Sequence, residues 1–120
     1  MIQSYKDLVV WQQSVQLTID VYEITKRFPK NELYGLTSQL RRGAVSIASN
    51  IAEGRNRGSK EEFVQFLRIA YSSGAEVETQ IEISKRLGYI DIQTSVRVFD
   101  SLSGIMKMLN VMIRKLTATP

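Results

Sequence analysis

Residues 36–63 read LTSQLRRGAVSIASNIAEGRNRGSKEEF. With Leu33 just before them, the apolar residues Leu36, Leu40, Ala44, Ile47 and Ile51 fall 3, 4, 4, 3 and 4 positions apart. That spacing draws one stripe along an α-helix and predicts a core-facing side. Much of the rest of the helix is small: Gly43, Ser46, Ala48, Ser49 and Ala52 let a second backbone approach closely. Arg41 and Arg42 precede this small-sided section and Arg55 and Arg57 follow it, making it the most basic part of the chain. The predicted helix ends near Gly54 or Asn56, where Arg55 and Arg57 also complement the negative end of the helix dipole.

Working outward, Ser59 followed by Glu62 is a capping box that starts a third helix at Lys60. Phe63, Phe66 or Leu67, Ala70, Val77 and Ile81 supply its inward face. Gly74, in the small patch of residues 72–75, is expected opposite a large side chain or a close backbone, which offsets the cost of a mid-helix glycine. Gly88 suits a left-handed C-cap. Asp91 caps a fourth helix running to about Leu116, with Phe99, Leu102, Met106, Leu109, Ile113 and Leu116 as its core seam. Val98, Ile105, Met108 and Met112 widen that apolar surface and are read as a subunit contact.

On the amino-terminal side, a first helix is expected from residue 4 or 5 to residue 27, ended by Phe28-Pro29. It carries two apolar stripes, one through Leu8, Trp11, Val15, Thr18 and Tyr22, the other through Val10, Leu17, Val21, Ile24 and Phe28. Two stripes imply two buried faces, from either a deeply wrapped helix or a contact with another subunit. Trp11 reads as a core anchor rather than a base-stacking residue. In the connector, Asn31 is expected to cap a short turn containing Glu32 and Leu33, with the second helix starting near Leu36. Four helices with short connectors give an all-α, antiparallel up-down-up-down bundle, a single domain over residues 1–120.

Composition narrows the chemistry. The 120 residues contain neither cysteine nor histidine, which removes disulfides, thiolate nucleophiles, imidazole bases and most zinc sites. Glu53, Glu62, Glu76, Glu78 and Glu82 cannot form the usual di-iron bundle site, which needs Glu-x-x-His pairs. Residues 54–58 are basic and glycine-flanked but lack phosphate-loop spacing. No cofactor is expected, and no enzyme, because no nucleophile–base pair can be assembled. No apolar run approaches the ~20 residues of a membrane span and no signal peptide is legible, so the chain reads as cytoplasmic.

The net charge is +4, and it is one-sided: residues 1–60 hold nine Lys/Arg against five Asp/Glu, whereas the second half holds seven of each. This asymmetry points to a polyanionic partner. Arg41, Arg42, Arg55, Arg57 and Lys60 are the candidate phosphate contacts, making backbone rather than base contacts. Each has a local alternative: Glu53–Arg57 and Glu82–Arg86 have the spacing of surface helix pairs, and Arg41 or Arg42 could bridge to Glu76 or Glu78.

The run of Trp11, Phe28-Pro29, Glu32-Leu33-Tyr34-Gly35-Leu36, Gln39-Leu40-Arg41-Arg42, Ser46-Ile47, Asn50-Ile51-Ala52-Glu53-Gly54, Phe63 and Glu76-Val77-Glu78-Thr79-Gln80 resembles the four-helix bundle family encoded in intervening sequences of bacterial 23S ribosomal RNA genes. The resemblance spans nearly the whole chain, with departures at Gly43 and at Ser73-Gly74-Ala75. It implies a small homo-oligomer, a ring of five subunits. It also implies kinship with the accessory protein of diversity-generating retroelements, a basic pentameric bundle that binds nucleic acid and a reverse transcriptase. The expectation is a non-enzymatic homo-oligomer that binds RNA or DNA without strong sequence readout. The alternative is a protein-interaction scaffold that binds no nucleic acid itself.

Overall fold

The apolar stripe of the second helix is buried over Leu40, Ala44, Ile47 and Ile51, which have no solvent exposure, while Leu36 is half-buried and Leu33, ahead of the helix, is exposed. The computed structural model describes residues 2–118. Within them, α1 spans Val9–Thr25, α2 Leu36–Asn56, α3 Lys60–Arg86 and α4 Ile92–Thr117. They form an antiparallel four-helix bundle about 49 Å long and 22 Å across. Packing is closest between α2 and α3 and sparsest between α1 and α4.

The helix starts follow local chemistry. Ser59 Oγ accepts the Glu62 N–H at 3.1 Å, and Asp91 Oδ1 accepts that of Thr94 at 2.7 Å. Gly88 ends α3 with a φ of +79°, and Gly58 takes a φ of +91° in the α2–α3 turn, a region that L side chains rarely enter. The first helix is shorter than its sequence suggests. Ser4 and Asp7 close a capping box around a 3-10 turn at Tyr5–Asp7, and Leu8 is extended before α1 begins. In the connector a second 3-10 turn, Lys30–Glu32, follows Pro29 with no side-chain cap, so Asn31 does not play that part.

Of the two stripes of α1, the one through Val10, Leu17, Val21 and Phe28 is core. The other is half-covered: Trp11 packs on the edge of the core and meets Tyr5 edge-on at 5.3 Å, rather than anchoring the interior. On α4 the buried line is Val98, Leu102, Ile105, Leu109 and Ile113, while Phe99, Met106 and Leu116 are half-buried. Val98 and Ile105 are therefore core residues and not a subunit surface. The reason is that α4 packs against α3 on one side and α1 on the other, which turns the centre of its buried arc toward Leu102, Ile105 and Leu109.

Three glycines within the helices sit at tight approaches to another helix. A Cβ on Gly43 would fall 2.9 Å from a Val77 methyl, one on Gly54 would fall 2.6 Å from the Phe66 Cβ, and one on Gly74 would collide with the Met106 sulfur. Gly74 thus meets the large side chain that its sequence position requires. Gly104 has open space around it. Thermal unfolding should therefore give opposite signs for two chemically identical changes. Gly54→Ala is expected to destabilise by about 1–3 kcal/mol through overpacking against a Cβ that cannot move far. Gly104→Ala is expected to stabilise by about 0.5–1 kcal/mol through helix propensity alone.

Candidate functional site

The five candidate basic residues do not form one patch. Arg41 and Arg42 lie near the start of α2, whereas Arg55, Arg57 and Lys60 surround the α2–α3 turn, about 21 Å away at 1.5 Å per residue. Arg41 faces α1. Its Nε donates to Thr25 Oγ1 at 2.9 Å, and its guanidinium lies 4.6 Å from the Tyr22 ring centroid. Arg42 is exposed. Neither bridges to Glu76 or Glu78, which are exposed on α3 while Arg41 is turned toward α1.

Arg57 is the most engaged of the set. It pairs with Glu53 at 2.8 Å and Glu62 at 3.9 Å, and lies 4.9 Å from the Phe66 ring centroid. Its charge is thus largely met within the chain. Arg55 is half-buried and Lys60 exposed, and no ion pair holds either among the described residues. The expected Glu82–Arg86 pair forms at 2.8 Å, with Lys85 also on Glu82 at 3.1 Å.

The small residues of α2 serve two different neighbours. Ser46 and Gly43 face α3, where the Ser46 and Ser73 hydroxyls are 2.8 Å apart and Asn50 donates to both the carbonyl and the hydroxyl of Ser46. Ala48, Ser49 and Ala52 instead floor an open groove of about 330 Å³ against α1, walled by Trp11, Val15 and Ile19. The half-covered stripe of α1 and the small-residue face of α2 thus meet in one apolar groove outside the core. A second apolar groove, of about 310 Å³, runs between Val9 at the start of α1 and Met108, Val111 and Met112 of α4. The sequence signalled these surfaces only as surplus apolar stripes.

The shifted titrations belong to structural contacts. Backbone N–H groups of Gln3 and Ser4 hold Asp7 below the usual carboxylate range, and the Thr94 backbone does the same for Asp91. Arg86 and Lys85 lower Glu82, while the hydrogen bond from Tyr89 to Glu32 raises the Tyr89 phenol. Among the described residues no group of three or more His, Cys, Asp or Glu could hold a metal ion. Among the described residues no helix is long and apolar enough to cross a membrane.

The chain is thus a four-helix bundle with open grooves between its helices and basic residues toward both ends. Residues 6–111 match the family model described as 23S rRNA-intervening sequence protein, and the chain belongs to that family. It also resembles a crystal structure from Bacteroides thetaiotaomicron described as a protein with unknown function from the S23 ribosomal protein family. The two share 24% identity with a TM-score of 0.80, over 88% of this chain and 99% of the other. None of the curated proteins matches the chain.

Because Asp91 and Asp7 have lower pKa values folded than unfolded, the unfolded chain takes up protons first on acidification. The stability they contribute is present above an ordinary value of 3.8 and is lost as pH falls through the folded values. Asp91→Asn keeps a capping oxygen but removes the titration. Melting temperature measured from about pH 5 to about pH 3 should fall less steeply in this variant than in the unaltered chain. Equal slopes would mean that the Asp91 carboxylate is not held by the cap.

Proposed function

We propose that this chain is a non-enzymatic, cytoplasmic bundle that assembles with copies of itself and binds RNA or DNA through contacts to the phosphate backbone. The observation that carries the reading is the α1–α2 groove. There Trp11 and Ile19 stand beside a floor of Ala48, Ser49 and Ala52, outside the core and open to solvent. Small residues next to a large aromatic suit insertion of a helix from another copy, and a second copy is the partner that symmetric assembly supplies. On this reading the assembly is a ring of five copies, the number that the family resemblance implies.

Assembly repeats the net charge of +4 around the ring, so residues at separated ends of one bundle become a many-fold basic surface. Arg42, Arg55 and Lys60 contribute most on this reading, Arg41 through its terminal amino groups. Arg57 contributes least, because Glu53 and Glu62 already face it. Those same ion pairs, with the Arg41–Thr25 bond, favour the second reading, a protein-docking scaffold in which the arginines are structural.

The mass in solution, followed by a labelled-RNA shift on the same sample, tests both parts. The expected result is an assembly of about five copies that Ala48→Glu dissociates, and an RNA complex whose affinity falls steeply with salt. Arg55→Ala with Lys60→Ala should weaken RNA binding and leave the mass unchanged. A monomer at working concentration overturns the assembly. An intact assembly that ignores RNA at low salt transfers the function to the scaffold.

A further inference from the structure

A cleft of about 340 Å³ opens where the end of α1, the connector at Pro29 and the first turns of α2 meet. Its charged lining is of one sign, consisting of Lys26, Lys30 and Arg41, with no carboxylate among the lining residues. The larger cleft of about 630 Å³ between α1 and α4 is different, because Asp20, Asp91 and Asp100 are interleaved there with Arg27 and Arg97. Mixed charges pair with one another, whereas cations lining a recess alone require an anion.

Arg41 is held ready for such an anion. Its Nε is occupied by Thr25 Oγ1, and the Thr25 hydroxyl is itself anchored by donating to the Val21 carbonyl at 2.7 Å. The guanidinium lies over Tyr22, and its two terminal amino groups make no hydrogen bond or ion pair within the described residues. A guanidinium fixed at Nε with its fork unengaged is preorganised for a planar pair of oxygens.

Thr37 gives an independent sign. It stands one turn before Arg41 on α2, lines the same cleft, and is only 3% exposed. Its hydroxyl makes no hydrogen bond within the described residues and is not a fully enclosed atom, so it is open toward the cleft. Thr37 occupies the second position of α2, a helix whose first amide, Leu36 N–H, is met by the Glu32 carboxylate at 3.2 Å. Glu32, the nearest carboxylate in sequence, does not line the cleft; its oxygens accept from the Leu36 N–H at the start of α2 and from the Tyr89 hydroxyl. Lys26 is partly met by Glu23 at 3.0 Å, leaving Lys30 as the unpaired lysine at the rim.

The geometry points to a seat for a single phosphoryl group, bound as a phosphate monoester. The Arg41 fork and the Thr37 hydroxyl hold its oxygens, Lys30 closes over it, and Phe28 and Pro29 form a wall beside the ester substituent. A group with three terminal oxygens satisfies this donor set, where a carboxylate would leave part of it unused. The seat does not depend on assembly, since the cleft is complete in one chain and takes one phosphoryl group; it shares only the Arg41 fork with the polyanion reading. That group can come from a free phosphorylated small molecule or from the 5′ end of an RNA.

The test is a titration of isotope-labelled protein with inorganic phosphate, following the Arg41 Nε–H resonance and the Thr37 and Ser38 amides. Saturable shifts confined to this region are expected. Arg41→Lys, which keeps the charge and loses the fork, should weaken binding about tenfold. Lys30→Ala, at an exposed position, should weaken it about threefold or more. Lys115→Ala, at an exposed position near the end of α4, should leave it unchanged. Shifts that never saturate, or saturable shifts that survive both Arg41→Lys and Lys30→Ala unaltered, overturn the seat. Ribose 5-phosphate and a short RNA with either a 5′-phosphate or a 5′-hydroxyl then separate the sources. Preference for the phosphorylated RNA over inorganic phosphate and the sugar phosphate assigns an RNA end, while tight sugar phosphate binding with no discrimination between the RNAs assigns a small molecule. A loss of the RNA shift with the phosphate titration intact would remove the backbone reading and keep the seat.

Discussion

The close approach of α2 to α3 is the constraint on which the rest of this bundle depends. It exists because residues on the facing sides are small where the partner is large, Gly43 beneath Val77 and Gly54 beneath Phe66, and because the small Ser46 and Ser73 meet through their hydroxyls at 2.8 Å. With this pair fixed, Leu40, Ile47 and Ile51 from α2 and Leu67, Val77 and Ile81 from α3 present a ready apolar trough. The helices α1 and α4 close it with one face each. The serine pair adds direction that apolar packing lacks, because a half-turn slip would leave buried hydroxyls without partners.

That same economy of side-chain size on α2 has a second effect on the opposite side. A helix lined with glycine, alanine and serine on both flanks sits close to α3 but also presents a shallow floor toward α1, where Trp11 and Tyr5 cover only part of it. The basic residues follow a comparable division. Arg57 stabilises the α2–α3 turn by its ion pairs, and Arg41 fastens α2 to α1 through Thr25 while its terminal amino groups remain available. One side chain can thus serve the fold with one nitrogen and a ligand with the others.

The fold was legible in the sequence because its signals were local and mutually consistent. The stripe of α2, the Ser59 and Asp91 caps and the Gly88 terminus each depend on residues within a turn or two of one another. What sequence could not fix was rotation. Phe99 and Met106 make as good a heptad as Val98 and Ile105, and only the presence of α1 on the far side of α4 decides between them. The break at Leu8 was hidden for a related reason, since a capping box three residues wide can close a short 3-10 turn as well as start a helix. For the candidate site, residue identities were legible but grouping was not. Arg41, Arg42, Arg55, Arg57 and Lys60 look adjacent along the chain, yet the length of α2 separates them, and the residues that gather around Arg41 come from positions 25 to 37.

The unequal seams between the helices bear on how the chain reaches this structure. Three of the four helix–helix seams join successive helices, and the one that does not, between α1 and α4, is also the sparsest. Nearly all of the stabilising contact can therefore form by closing short hairpins, with little loop entropy lost before contacts are gained. During synthesis the α2–α3 hairpin is able to close before α4 has been made, and docking of α4 against α1 comes last. A low-contact-order route of this kind favours rapid folding, with the apolar faces of α2 and α3 sheltered against each other from an early stage.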